Sequence, residues 1–219
     1  MSYILNLETA TKNCSVALAN DGKTIALAEY AGEGYLHAEK LHVFINEVLA
    51  KAGITYKDLE AVAVSMGPGS YTGLRIGVSA AKGLCYTLDI PLIAVDTLEL
   101  LAQKVKTDSG TIIPLIDARR MEVYSAVFSI GYAKVRETQA EIITPELFAG
   151  IEGTIHFAGD GAAKCKEIIT GSRFVYHDEV IYPSANEMST VSYDKYKKSD
   201  IVDVAYFEPY YLKDFVISR

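Results

Sequence analysis

No two cysteines in this sequence stand close enough to act as a pair. Cys14, Cys85 and Cys165 are scattered and form no CxxC motif. An odd, widely spaced set argues against a disulfide framework and against a zinc site. The Val, Ala, Leu and Ile around each thiol predict buried, unpaired cysteines. Long apolar runs are missing too: Ile112 to Ile116, interrupted by Pro114, falls far short of the roughly 20 residues a spanning helix needs. No cationic region precedes the first apolar residues, Met1-Ser2-Tyr3-Ile4-Leu5, so the start reads as a strand rather than a secretory leader. Positive charge is the scarcer sign, 21 Lys and Arg against 28 Asp and Glu. The resulting charge of -7 disfavours broad non-specific contact with nucleic acid, while a local basic patch stays open. What these absences leave is a soluble, cytoplasmic α/β protein, with 219 residues available to bury a core.

The apolar pattern is organised. Ile4 to Leu7, Ser15 to Ala19 and Thr24 to Tyr30 read as three antiparallel strands, the last two joined through Asn20-Asp21-Gly22. Leu41, Phe44, Ile45, Val48, Leu49 and Ala52 repeat at three- and four-residue spacing and predict a helix over Leu36 to Lys51, stopped by Gly53. A small-residue strand, Ala61 to Ser65, leads into a glycine loop and a second helix, Thr72 to Thr87. Leu92 to Val95 is a buried strand and Thr97 to Lys104 a helix. The polar run Lys104 to Gly110 sets the expected boundary between an N-terminal lobe, 1–106, and a C-terminal lobe, 107–219. Beyond it come strands at Thr111 to Ile116, Glu122 to Ser129 and Ala133 to Thr138. A helix start is expected at Thr144-Pro145-Glu146-Leu147-Phe148, then a strand at Ile155 to Ala158 entering Gly159-Asp160-Gly161-Ala162. Ser184 to Lys197 reads as helical, and the aromatic tail from Val202 to Leu212 as docked on the body. The order resembles a duplicated α/β lobe.

The loop Gly67-Pro68-Gly69-Ser70-Tyr71-Thr72-Gly73-Leu74-Arg75 is the most informative feature. Three glycines between a buried strand and a helix need a backbone reason: positive φ, close chain approach, or amides converging on an anion. A tight turn without ligand, an anion or nucleotide contact, and a fixed surface for a partner all fit. A P-loop does not, since no Gly-Lys-Ser or Gly-Lys-Thr ends the run, and the GxGxxxG spacing is not the dinucleotide fingerprint. Thr72 is the expected helix cap, with Ser70 the second candidate. Arg75 sits awkwardly for a cation in a first helical turn. Gly77, Ser79, Ala80, Ala81 and Gly83 would let a second helix approach closely, from the same chain or from another.

From these residues the chain resembles the bacterial threonylcarbamoyladenosine biosynthesis family TsaB, also called YeaZ. The carriers are GPGSYTGLRIGVSAAKGL, ILNLETATKNCSVAL, His37 to Leu41, IDARRMEVYSAVF and PYYLKD. The resemblance implies a two-lobed fold of the actin, sugar kinase and Hsp70-ATPase type, ribonuclease H-like, with duplicated mixed sheets. It implies a non-catalytic partner of the TsaD subunit, which transfers threonylcarbamoyl to N6 of adenosine 37 in tRNAs reading ANN codons. A TsaE-like ATPase completes the complex; ATP and threonylcarbamoyl adenylate belong to the wider assembly, with no cofactor held by this chain alone and tRNA met only through the complex. By the same analogy the contact with TsaD, or with a second copy, runs over Leu36, His37, Leu41, Phe44, Ile45, Val48, Leu74, Gly77, Val78, Ala81 and Leu84.

Catalytic equipment is hard to find. His37 and His42 are five apart and face different sides of a helix, so the four histidines, with His156 and His177, read as surface or capping residues. Where TsaD-like enzymes carry an HxxxH metal motif, this chain has Thr97 and Leu101. Glu8 stands where relatives usually have Asp, in a first hairpin without phosphate-turn glycines, and is expected to keep a structural hydrogen bond. Asp117-Ala118-Arg119-Arg120 lacks the glycines of a second phosphate hairpin; its two cations suit either an anion or a salt bridge to Glu122 or Asp160. Gly159 to Ala162 resembles an adenosine-side loop. Ser65, Ser70 and Cys85 have no evident base. A small-molecule kinase or peptidase of the same superfamily is the competing reading, and a self-associating protein without a TsaD partner a third.

Overall fold

The computed structural model describes residues 1–32 and 36–213. Two five-stranded mixed sheets carry the same plan. In the first, β1 (Tyr3–Glu8), β2 (Asn13–Asn20) and β3 (Lys23–Ala31) form an antiparallel meander. Next come α1 (His37–Ala52), β4 (Leu59–Gly67), α2 (Tyr71–Leu88) and β5 (Leu92–Asp96). β4 pairs parallel with β1, and β5 parallel with β4, giving the order β3-β2-β1-β4-β5. After α3 (Thr97–Lys104), the pattern repeats with β6 (Thr111–Asp117), β7 (Glu122–Ser129), β8 (Lys134–Ile142), β9 (Ile155–Ala158), α4 (Ala162–Lys166) and β10 (Phe174–Tyr176). The order is β8-β7-β6-β9-β10, again antiparallel through the first three strands and parallel through the last two. α5 (Ala185–Lys197) closes the series.

The chain clusters into one unit of Met1–Thr97 plus the segment from Ser184 onward, and a second of Leu98–Pro183. This division differs from the boundary expected at 106/107. The polar run there lies inside the second unit, and the C-terminal segment belongs with the first. The tail is tied there by ordinary backbone bonds: Val202 N donates to Leu92 O (2.9 Å) and Tyr210 N to Met66 O (2.7 Å). In the PYYLKD segment Asp214 lies outside the described residues.

The two faces of the first sheet differ in chemistry. Leu5, Leu7, Val16, Leu18, Val62 and Val64 meet Leu41, Ile45, Val48 and Val78 from α1 and α2 in one apolar cluster. Strand alternation puts Asn6, Ser15, Ala17 and Ala63 on the opposite side. There α5 is seated by hydroxyls. Ser192 Oγ donates to Asn6 Oδ1 (2.6 Å), Asn6 Nδ2 to Ser189 Oγ (3.5 Å), and Ala185 N to Ser15 Oγ (3.1 Å).

One local expectation changes. Thr144 to Phe148 opens no helix; Leu147 N to Thr144 O (3.2 Å), Ala149 N to Glu146 O (2.9 Å) and Ile151 N to Phe148 O (3.1 Å) make successive three-residue turns instead. Phe148 and Ile143 nevertheless enter the second unit's core, so burial there is obtained without a helical face. The hairpin at Asp21-Gly22 is as expected, with φ of 48° and 79° at the two turn residues.

Candidate partner face and the glycine corner

β4 delivers the chain into the corner at Gly67, whose φ is 114° and whose added Cβ would lie 2.8 Å from Tyr210 O. Four amides of the corner are used within the chain. Gly67 N donates to Thr97 Oγ1 (3.2 Å), Ser70 N to Ala10 O (2.6 Å), Gly73 N to Ser70 Oγ (3.3 Å) and Leu74 N to Ser70 O (2.9 Å). Ser70, rather than Thr72, therefore caps α2. The glycines at 69, 73 and 77 lie four residues apart and line a trough for the β1–β2 turn. An added Cβ would come within 2.4 Å of Ala10 O, 2.1 Å of Thr9 O and 2.2 Å of Thr9 Oγ1 respectively. Thr9 Oγ1 donates to Gly73 O (2.8 Å), and His37 Nε2 donates to Thr11 O (2.7 Å), so both helix starts hold the same turn. What fills this glycine cradle is the chain's own first hairpin.

The same turn carries Glu8, buried, with Oε1 accepting from Ala10 N at 2.6 Å: the structural bond expected of it. The histidines divide. His42 is exposed on α1, but His37 and His156 are buried and hydrogen-bonded, which corrects their reading as surface groups. His156 Nε2 donates to Ser109 O (3.0 Å) and its Nδ1 accepts from His177 Nε2 (3.0 Å). Burial lowers the pKa of both His37 and His156, and the charge of nearby His177 adds to the effect at His156. Thr97 spends its hydroxyl on Gly67 N and Leu101 is fully buried. Among the described residues no three His, Cys, Asp or Glu side chains converge as a metal site. The three cysteines are buried free thiols, their pKa values pushed up by burial to about 11 for Cys14 and Cys85 and about 12 for Cys165.

Most of the residues that the resemblance implied for the partner contact face inward. His37, Leu41, Ile45, Val48, Leu74, Gly77, Val78 and Ala81 are buried in their own unit, and Leu36, Phe44 and Leu84 are half-buried. Apolar periodicity reports the helix stripe that covers its own sheet. Gly77 and Ala81 belong to that inward stripe, so a large charged residue at either position would disrupt the lobe's own packing. The outer side offers Val43 (59 % exposed) on α1, and Thr72, Arg75, Ser79, Gly83 and Tyr86 (85 % exposed) on α2. Two hollows flank α2. One of about 430 Å³ is lined by Tyr71, Thr72, Arg75, Ile76 and Ser79; another of about 680 Å³ lies between Lys82, Gly83, Tyr86 and residues 203–205. Arg75 donates to Tyr71 OH (2.5 Å) and sits 5.0 Å from its ring centre, which occupies the cation that looked misplaced at a helix start. Lys82 Nζ donates to Ala205 O (3.0 Å) and Phe207 O (3.1 Å), strapping the tail alongside the helix. No helix of the described residues is long and apolar enough to cross a membrane.

The second unit has a matching corner. Gly159 N donates to Val180 O (2.7 Å) and Gly161 N to Leu115 O (3.0 Å). A Cβ at Gly159, whose φ is 107°, would lie 2.1 Å from Leu115 O. This loop, too, makes its hydrogen bonds within its own unit.

These features define a class: a duplicated, two-sheet α/β protein whose loops after the fourth strand of each repeat hold the repeat's own first hairpin. Comparison with known proteins carries this further. A family model described as TsaD, tRNA N6-adenosine threonylcarbamoyltransferase, matches residues 34–213. The tRNA threonylcarbamoyladenosine biosynthesis protein TsaB of Escherichia coli is 33% identical over 97% of this chain and 95% of its own length. The Bacillus subtilis TsaB is 34% identical over 70% of this chain and 72% of its own. A solved structure of YeaZ from Pseudomonas aeruginosa superposes with a TM-score of 0.82 at 27% identity, covering 97% of this chain and all of that one. The chain belongs to the TsaB (YeaZ) family.

Proposed function

We propose that this chain is a non-catalytic, activating subunit in the threonylcarbamoylation of tRNA, binding a TsaD-like catalytic subunit through the outer side of α1 and α2. Full-length similarity to TsaB proteins carries the reading. The exposed stripe on α2, Thr72, Arg75, Ser79, Gly83 and Tyr86, supports the placement of the partner. Small residues at 79, 80 and 83 allow a helix to approach, and Tyr86 supplies the large exposed ring that interfaces favour. A homodimer would compete for the same stripe. The repeated strand order supports a place in the actin, sugar kinase and Hsp70-ATPase superfamily, and a TsaE-like ATPase and cytoplasmic residence follow from the same family argument. A kinase reading gains little from the glycine corner, four of whose amides are spent within the chain.

Reconstitution tests this. The isolated chain should neither modify tRNA nor turn over ATP, and adding it to a TsaD-like and a TsaE-like subunit with threonylcarbamoyl adenylate should restore product. Full modification without this chain would sink the proposal. Gly83→Arg, at a site with nothing within 4 Å of an added Cβ, should abolish co-purification with the TsaD-like subunit at unchanged melting temperature.

A further inference from the structure

The turn between β6 and β7 places two arginines in a conformation that suits neither. Arg119 has a φ of 66° and Arg120 of 49°. Left-handed backbone is disfavoured for a long L side chain and is ordinarily occupied by Gly or Asn. The turn does not need the arginine side chains to hold its shape. Arg119 N donates to Asp117 Oδ1 (2.6 Å), Ala118 N to Glu122 O (3.1 Å), and Glu122 N to Arg119 O (3.2 Å). From below, Lys164 Nζ donates to Asp117 Oδ1 (2.7 Å), to Arg120 O (3.0 Å) and to Glu122 O, while Asp160 Oδ1 accepts from Asp117 N (2.9 Å).

Other arginines of the described chain are committed. Arg75 bonds Tyr71, Arg136 forks onto Glu141 (2.9 and 2.8 Å), and Arg173 caps Ile151 O and Phe148 O. Arg119 and Arg120 are exposed, and among the described residues neither guanidinium makes a hydrogen bond or an ion pair. The neighbouring Asp117 carboxylate is already engaged by Lys164 and the Arg119 amide. The salt bridges to Glu122 or Asp160 that the sequence left open are not formed. A strained tip thus carries two adjacent forks whose geometry matches phosphate oxygens, on a chain otherwise poor in positive charge.

We propose that the Arg119–Arg120 tip is a contact for the phosphodiester backbone of RNA, an auxiliary grip on the tRNA within the complex proposed above. It rests on that reading for the identity of the RNA. A chain of net charge -7 does not hold RNA by its general field, so the tip adds one or two local phosphate contacts to affinity supplied elsewhere in the assembly.

The test uses R119N/R120G, which removes both charges and supplies residues suited to the turn. Its melting temperature should rise. The affinity of the assembled complex for tRNA, followed by fluorescence anisotropy from about 50 to about 200 mM salt, should fall, and the slope of log K against log salt should become shallower by about 1 to 2. R119K/R120K should restore most of that slope. An unchanged slope overturns the proposal, as does a lower melting temperature, which would make the arginines structural. So does a loss confined to ATP binding, which would place a nucleotide phosphate rather than RNA at the tip. Pairing with the TsaD-like subunit is scored separately by co-purification. If pairing fails, the functional reading falls, whereas an intact complex whose salt slope is the same with and without the two arginines overturns the tip alone.

Discussion

The two repeats solve one problem with different chemistry. In each, the loop after the fourth strand must hold the turn between the first two. The first repeat does so by close approach: glycines 69, 73 and 77 let the backbone of Thr9 and Ala10 press against α2, where a single methyl would collide. The second makes one such approach, at Gly159 against Leu115 O, and adds charge through Lys164, Asp117 and Asp160. Helix cover differs in parallel. α1 and α2 run 16 and 18 residues, whereas their counterparts are a series of turns and the five-residue α4. Backbone packed on backbone tolerates no substitution but leaves a long, smooth helix to present outward. An ionic clamp tolerates more, and its tip is free to carry other residues, here two arginines.

Breaking the close approach should have the largest effect. Gly73→Ala puts a methyl 2.1 Å from a carbonyl that cannot retreat, and should cost about 3 kcal/mol or more in urea unfolding, at the upper end for overpacked sites. A loss below about 1 kcal/mol would mean the turn can slide, and the contrast with the second repeat would vanish.

Breaking the ionic clamp should do less. Lys164, whose side chain is 18% exposed, gives up one carboxylate and two carbonyl partners in Lys164→Met, for a loss of about 1–3 kcal/mol. Wild-type stability in the second unit should also fall with added salt more than that of the first, read by hydrogen exchange in β6 and β1.

Acid sharpens the comparison last, because it acts on both repeats alike. His37 and His156 each have a lowered pKa in the folded chain. The unfolded chain, with ordinary histidines near 6.5, binds protons first as pH falls. Stability is therefore full above about pH 6.5 and declines below it. His156→Gln should flatten part of that decline in melting temperature, and a profile unchanged by the substitution would show that His156 is protonated without penalty.

Much of the fold was legible because it is written in local patterns: the Asp21-Gly22 hairpin, the α1 stripe ending at Gly53, the strand-glycine-helix corner. What escaped was whatever depends on non-local placement. Which side of α1 and α2 is open could not be read, since Leu41, Ile45 and Val48 announce the sheet they cover, whereas Ser79, Gly83 and Tyr86 carry no apolar stripe to mark the outer side. Thr144-Pro145 looked like a helix start, yet too few residues follow before Gly150 and Gly153 for a helix to pay its nucleation cost. The three-residue β10 was too short to see. The filled glycine cradle could not be read either, because the occupant, Thr9-Ala10, lies some sixty residues upstream.

The return of α5 to the first sheet has a consequence for the order in which the molecule can be made. Residues 98–183 are contiguous and can close as soon as they leave the ribosome. The first sheet, though synthesised earlier, must wait for residues 185–197 before Asn6 and Ser15 find the hydroxyls and amides of α5. Of the two units the first is thus begun earlier and finished later, and until then Asn6 and Ser15 stand uncovered beside Ile4, Ile93 and Val95 on the same side of the sheet.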